Sequence, residues 1–394
     1  MQRLRVLVTD GEQRSALAIV RSLGRAGHAV EVVSTSGKSL AGASRWVRED
    51  HPVPDPLGEP EAFAEAVLEC VRQRSIDALI PVTEASLRVL LHLKPELGDV
   101  LLPFADAETF ERVSDKKSIL QVAEELGLFV PAQVSLADRE STAGLTLSFP
   151  LVLKPWVSVI RDEGRNRKLG VMHVSSPAEL EASLAALPDA AFPVLAQHRI
   201  IGPGVGIFLL TWAGRTRAEF AHRRIREKPP SGGVSVYRES IHVPPEWVEQ
   251  AERLLERIGW HGVAMVEFKI DSETGRPYLM EVNGRFWGSL QLAIDAGVDF
   301  PRLLLDFARG LDVGSPPPYR DGIRLRWEWG DVDHLLARIC KSKVELHLPG
   351  DAPSRLSTTL QVMVPWRPGE RWEVLRPSDP RPFFRESRLW FQGK

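Results

Sequence analysis

The chain has 394 residues, too many for one small core, so two or three subdomains are expected. Its 50 basic and 52 acidic residues nearly cancel, which leaves no broad electrostatic footprint for nucleic acid or a membrane surface. Only Cys70 and Cys340 occur, excluding a disulfide framework or a four-cysteine zinc site, and no run of about 20 apolar residues suits a bilayer.

Met1 to Asp10 runs straight into a strand with no room for a signal-peptide core, so a soluble cytoplasmic protein is expected. The N-terminal part alternates elements: strand Leu4–Thr9, helix Gln13–Ala26, strand Ala29–Ser34, helix Glu59–Gln73, strand Asp77–Val82. That order predicts a parallel sheet covered by helices. The first turn, Thr9 to Ser15, lacks Gly-x-Gly-x-x-Gly, which argues against a dinucleotide site. Ligands of such sheets gather at the carboxyl ends of the strands, making Asp10, Thr83 and Glu84 candidates for substrate contact. Helix capping explains Asp10 and Thr83 equally well.

The next helix is expected to open on Ser114 as N-cap, with Lys116 and Lys117 in its first turn and Gly127 just past its end. Lysines there oppose the helix dipole, which suggests an anion nearby; a solvated surface lysine is the alternative. Phe149-Pro-Leu-Val-Leu-Lys154-Pro155 places a lysine at the end of an apolar strand, where a buried ammonium needs a partner. A charged stretch follows, with Arg161, Gly164, Arg165, Arg167 and Lys168. Then comes Val194-Leu-Ala-Gln197-His198-Arg199-Ile-Ile-Gly202-Pro-Gly204-Val205-Gly206. A further basic cluster holds Arg223, Arg224 and Arg226 before the loop Pro229-Pro-Ser-Gly232-Gly233, and arginine's planar fork suits carboxylate or phosphate.

The most informative segment is a hairpin. Gly262–Asp271 and Pro277–Phe286 read as strands joined by the turn Ser272–Arg276. Centred on Thr274, the hairpin puts Glu267 opposite Glu281 and Met265 opposite Asn283. The period of two then sets Glu281, Asn283 and Arg285 on one face with Glu267. Opposed carboxylates repel, the more so when half-buried, unless a divalent cation joins them. Two Glu and an Asn carbonyl are hard oxygen donors suited to Mg2+ or Mn2+. A wet face with Lys269 and Arg285 as partners is the alternative, and the apolar setting of both strands argues against it.

Glu267 followed by Glu281-Val-Asn283-Gly-Arg285 resembles the catalytic hairpin of the ATP-grasp superfamily, and the text from Arg285 to Pro301 resembles its carboxylate–amine ligase branch. The upstream pieces recur in the expected order. The resemblance implies an α/β fold: a Rossmann-like pre-ATP-grasp domain (1–107) and a two-subdomain ATP-grasp unit (108–312, divided into about 108–190 and 191–312). A small C-terminal extension (313–394) follows. It implies ATP and Mg2+ (or Mn2+) as cofactors, the metal held by Glu267, Glu281 and Asn283. Lys116, Lys154 and Lys168 would meet phosphates, Gln197 would lie near adenine, and Arg285 would face the transferring group. Glu84, Arg224, Arg226, Gly232 and Gly233 would line the acceptor pocket. Many relatives carry an acid for the ribose where Val205 stands, and the segment 156–170 is richer in arginine than their closing loops.

The implied activity is an ATP-dependent ligase: a carboxylate is activated as an acyl phosphate and joined to an amine, releasing ADP and phosphate. Partners are the small-molecule acid and amine and a second copy in a homodimer, with no nucleic acid and no membrane. An ATP-grasp carboxylase or kinase-type enzyme, or a nucleotide-sensing pseudo-ligase, would share the nucleotide residues. From Ile323 onward, Arg324 and Arg326 alternating with Leu325 and Trp327 predict a half-buried strand.

Overall fold

A computed structural model describes residues 3–141, 146–155, 159–162, 165–311, 313–314, 316–350, 352–364 and 367–393, with backbone alone at 159–162 and 165–168. Strands β1 (Arg5–Val8), β2 (Ala29–Ser34), β3 (Val47–Pro52) and β4 (Ala78–Ile80) form a parallel sheet in the order β3-β2-β1-β4. Helices α1 (Arg14–Arg25) and α2 (Pro60–Arg74) supply its crossovers. Val6, Leu7 and Val8 are fully buried, as a central parallel strand requires. Strand β3 goes beyond the sequence reading. Its sequence, Val-Arg-Glu-Asp-His-Pro, has no apolar run because it is an edge strand with both faces largely wet.

Helices α3 (Glu84–Leu90), α4 (Ala107–Ser114) and α5 (Lys116–Glu125) lead into a second sheet. The expected N-cap of α5 needs correction: Asp115 caps it, accepting from the Lys117 backbone N–H at 3.0 Å. Ser114 instead ends α4 and donates its hydroxyl to Phe110 O at 2.9 Å. Gly127, at φ +77°, takes the left-handed position past the helix end, as expected.

The second sheet has the order β5-β10-β6-β9: β5 (Gln133–Leu136), β6 (Leu151–Pro155), β9 (Met172–Val174) and β10 (Val194–His198). Strands β7 (Val159–Asp162) and β8 (Arg165–Lys168) pair as a separate hairpin. Helix α6 (Pro177–Ala185) covers the sheet, and Leu136, Leu151, Leu153, Val174, Leu180 and Leu184 give this lobe a core of its own.

The largest sheet runs β15-β14-β11-β12-β13-β16-β17. It comprises β11 (Gly204–Trp212), β12 (Arg215–Lys228), β13 (Val234–Ser240), β14 (Gly262–Ile270), β15 (Pro277–Asn283), β16 (Arg324–Arg326) and β17 (Glu370–Trp372). Helices α7 (Pro245–Ile258), α8 (Leu290–Ala296), α9 (Phe300–Ala308), α10 (Glu328–Cys340), α11 (Arg355–Met363) and α12 (Arg381–Phe391) complete the chain. The C-terminal residues thus contribute strands to the main sheet. The half-buried reading of β16 is corrected on its polar side: Arg326 is 7% exposed and Leu325 fully buried. The arginine is tolerated there because its Nε lies 2.9 Å from Glu370 Oε1. Among the described residues no helix is long and apolar enough to cross a membrane.

Candidate active site

Strands β14 and β15 pair with Glu267 opposite Glu281 and Met265 opposite Asn283, the register expected from the sequence. The route to it differs. Nearer the turn, Phe268 faces Leu279 and Ile270 faces Pro277, so Met280 is an extra residue on β15. Without that bulge the turn would set Glu267 against Met280 and send Glu281 to the other face. The turn is fixed locally: Asp271 Oδ1 accepts from the N–H groups of Glu273 and Thr274 at 2.8 Å each, and Gly275 takes φ +70°.

Glu267 is 9% exposed. Burial pushes its carboxyl up, Arg224 pulls it down, and the charges of Glu281 and Glu227 push it up again. For Glu281 burial also acts upward, but Lys116, the Asn283 amide, Lys154 and Arg224 together outweigh it and hold the group below its ordinary value. Arg224 on β12 is the direct partner of Glu267: its Nη2 donates to Glu267 Oε2, while Nη1 donates to Glu227 Oε1 at 2.8 Å and to Gly233 O at 3.1 Å. Arg285 Nη2 donates to Asn283 Oδ1 at 2.9 Å and Nη1 to Phe286 O at 2.9 Å. Asn283 Nδ2 in turn donates to Glu281 Oε1 at 2.9 Å. The carboxamide oxygen therefore faces Arg285, and it must turn to ligate a cation beside Glu281.

Lys154 occupies the end of β6, nine-tenths buried, and donates to Gln197 Oε1 on β10 at 2.8 Å. Burial lowers its pKa to about 8. Gln197 is fully buried, and its Nε2 donates to Gln133 Oε1 on β5 at 3.1 Å. Its side chain is thus engaged within the sheet, on the lysine. Lys116, at the start of α5, lines a cleft with Glu84, Ser114, Glu281, Asn283 and Arg285.

The remaining sequence candidates divide. Glu84 stands in that cleft, in an ion pair with Arg88 at 3.0 Å. Asp10, at φ +57°, accepts from the Thr83 N–H at 3.0 Å and the Ser86 hydroxyl at 2.8 Å, and Thr83 caps α3. Both residues therefore hold the β1 and β4 ends together. Arg226 is not brought to the cleft: its Nε and Nη2 each bind Asp331 of α10 at 2.6 Å, buried, against Tyr237. Gly232 has φ +133°, and a Cβ at Gly233 would stand 2.5 Å from Lys228 O. The side chain of Lys168 lies outside the described residues. Val205 is buried on β11, opposite Phe268. Glu227 and Gln133 escaped the sequence reading. Only the Arg-x-x-Glu spacing from Arg224 to Glu227 could have suggested the first, and nothing local suggests the second.

Residues 192–330 match the family model described as ATP-grasp in the biosynthetic pathway with Ter operon. A D-aspartate ligase from Enterococcus faecium is 24% identical over 248 residues, covering 57% of this chain and 58% of that protein. The chain thus aligns with little more than half the length of this curated relative. The structure resembles the L-amino acid ligase of Bacillus licheniformis (TM-score 0.61, 20% identity, 78% of this chain and 75% of that one). It also resembles a biotin carboxylase from Campylobacter jejuni solved as a β,γ-ATP complex (TM-score 0.65, 16% identity, 82% and 74%). Residues 192–330 thus resemble an ATP-grasp family, and the chain shares the overall fold of these two enzymes.

Proposed function

We propose that the protein is an ATP-dependent ligase that activates a carboxylate as an acyl phosphate and joins it to an amine. One observation carries the reading: Glu267 and Glu281 stand opposed on a largely buried sheet face, with Lys116, Lys154, Arg224 and Arg285 around them. Opposed acids among basic groups make a place for a cation together with an anion. The donor set fits Mg2+ or Mn2+, held by the two carboxylates and by Asn283 once its amide turns. Such an ion would neutralise charge on the nucleotide phosphates.

The chain's own residues do the rest. Lys116 and Lys154 hold phosphate oxygens, Lys168 adds a third cation, and Gln197 fixes the Lys154 ammonium in place. Arg285, anchored on Asn283 and Phe286, meets charge that develops on the acyl phosphate as the γ-phosphoryl group passes to the acid. Glu84 offers a carboxylate to an ammonium in the same cleft, while Gly232 and Gly233 shape the loop that Arg224 reaches through the Gly233 carbonyl. Arg224 faces the site; Arg226 holds α10 to the sheet and leaves the substrate list. The names of the two ligase relatives favour amino acids as the joined acid and amine. We read 1–107, 108–312 and 313–394 as the units of this enzyme.

Screening amino acids singly and in pairs with ATP and Mg2+ tests the reading. ADP release that needs an acid and an amine together, with a condensed product by mass spectrometry, is expected. Bicarbonate-dependent carboxylation would replace it with the carboxylase reading.

A further inference from the structure

Glu267 is answered by a cation that the chain itself supplies. The Arg224 and Glu267 side chains are 14% and 11% exposed, and the guanidinium is divided between the two acids Glu267 and Glu227 and the carbonyl of Gly233. Space for this fork is narrow: a Cβ on Gly204 of the neighbouring strand would stand 3.0 Å from Arg224 Cδ. One hand of the fork holds the candidate metal ligand. The other holds the loop that follows β12.

We propose that Arg224 is an exchangeable counter-ion, which neutralises Glu267 in the metal-free site, yields that carboxylate to an arriving divalent cation, and passes the change to the 229–233 loop through Glu227 and Gly233. The proposal rests on the reading of Glu267 and Glu281 as metal ligands. A buried carboxylate is costly without a counter-charge, and a divalent cation held by Glu267 would compete with the guanidinium for that charge. The ion arrives with nucleotide phosphates, so the released Nη2 meets new anionic oxygens. Arginine suits the task because its two nitrogens can change partners separately; an ammonium offers a single point. The loop must follow. Gly233 is packed against Lys228 O, and Gly232 holds a conformation that other residues rarely adopt, so a shift of the Gly233 carbonyl moves the segment together.

The test is Mn2+ binding to nucleotide-free protein, read by electron paramagnetic resonance, beside melting curves and hydrogen exchange over 229–234. Arg224→Gln should bind Mn2+ tighter than wild type by on the order of tenfold or more, because no internal cation competes. Its melting temperature should be low without metal and rise further with Mn2+ than the wild type's. Arg224→Lys should keep the wild-type Mn2+ affinity within a few-fold, yet lose the Mn2+-dependent change in loop exchange that the wild type shows. If Arg224→Gln folds only in Mn2+, the exchange stands. Failure to fold even there, or an affinity equal to wild type, overturns it. A wild-type protein that binds no Mn2+ would instead remove the metal reading beneath it.

Discussion

Lys154 gives the sharpest expectation for nucleotide binding. Its ammonium is nine-tenths buried, 2.8 Å from Gln197 Oε1, and burial brings its pKa from 10.5 to about 8, with Glu281 and Glu267 opposing the fall. On the proposed phosphate role, Lys154→Ala should remove a charged hydrogen-bond donor, a loss of roughly 1.5–3 kcal/mol, or about ten- to hundredfold in Kd. The same lysine leaves a second signature. About nine-tenths of molecules carry its charge at pH 7 and about a tenth at pH 9, so wild-type affinity should fall about tenfold over that interval. The alanine variant should be flat. Stability moves the other way: the folded pKa lies below the unfolded one, so between about 8 and 10.5 the unfolded chain holds more protons and this lysine's contribution to stability rises with pH. Calorimetric titration with a non-hydrolysable ATP analogue, beside melting curves, separates the two effects. Unchanged affinity in Lys154→Ala, or a wild-type affinity indifferent to pH, would refute the assignment.

Three further outcomes are expected. Glu281→Gln should abolish ATP turnover while the fold persists, because an anionic ligand is lost; near-normal ADP release at saturating Mg2+ would contradict it. Arg285→Ala should slow single-turnover phosphoryl transfer by about two to three powers of ten with ATP affinity within a few-fold, and lysine should rescue poorly since it cannot hold both Asn283 and Phe286. Burial raises the Glu386 carboxyl from 4.5 to about 7 while it accepts from Trp327 Nε1 at 2.9 Å. Its contribution to stability is complete below 4.5 and lost as pH rises through 7, so Glu386→Gln should melt higher than wild type at pH 8 and no higher at pH 4.5.

The opposed acids were legible because hairpin register follows from turn chemistry and a period of two. The pairing was right although the Met280 bulge was invisible, since the assumed turn centre lay half a residue from the true one. The N-terminal sheet was legible wherever its strands are buried on both faces, and β3 was missed where they are not. Residues whose partners lie far along the chain misled. Arg226 looked like a substrate ligand, yet it is matched by Asp331, 105 residues away. Gln197, expected near the base, also bonds Lys154 and Gln133 across two strand pairings, partners that no local pattern shows. Ser114 lost its capping role to the adjacent Asp115, a choice that capping preferences alone do not decide.

The central claim is phosphoryl transfer to a carboxylate, and oxygen-18 tests it directly. With an acid and amine pair identified by ADP release, the acid labelled with oxygen-18 in its carboxylate should pass a single labelled oxygen to the phosphate released as the amide forms. Unlabelled phosphate, or AMP and pyrophosphate in place of ADP, would contradict the account.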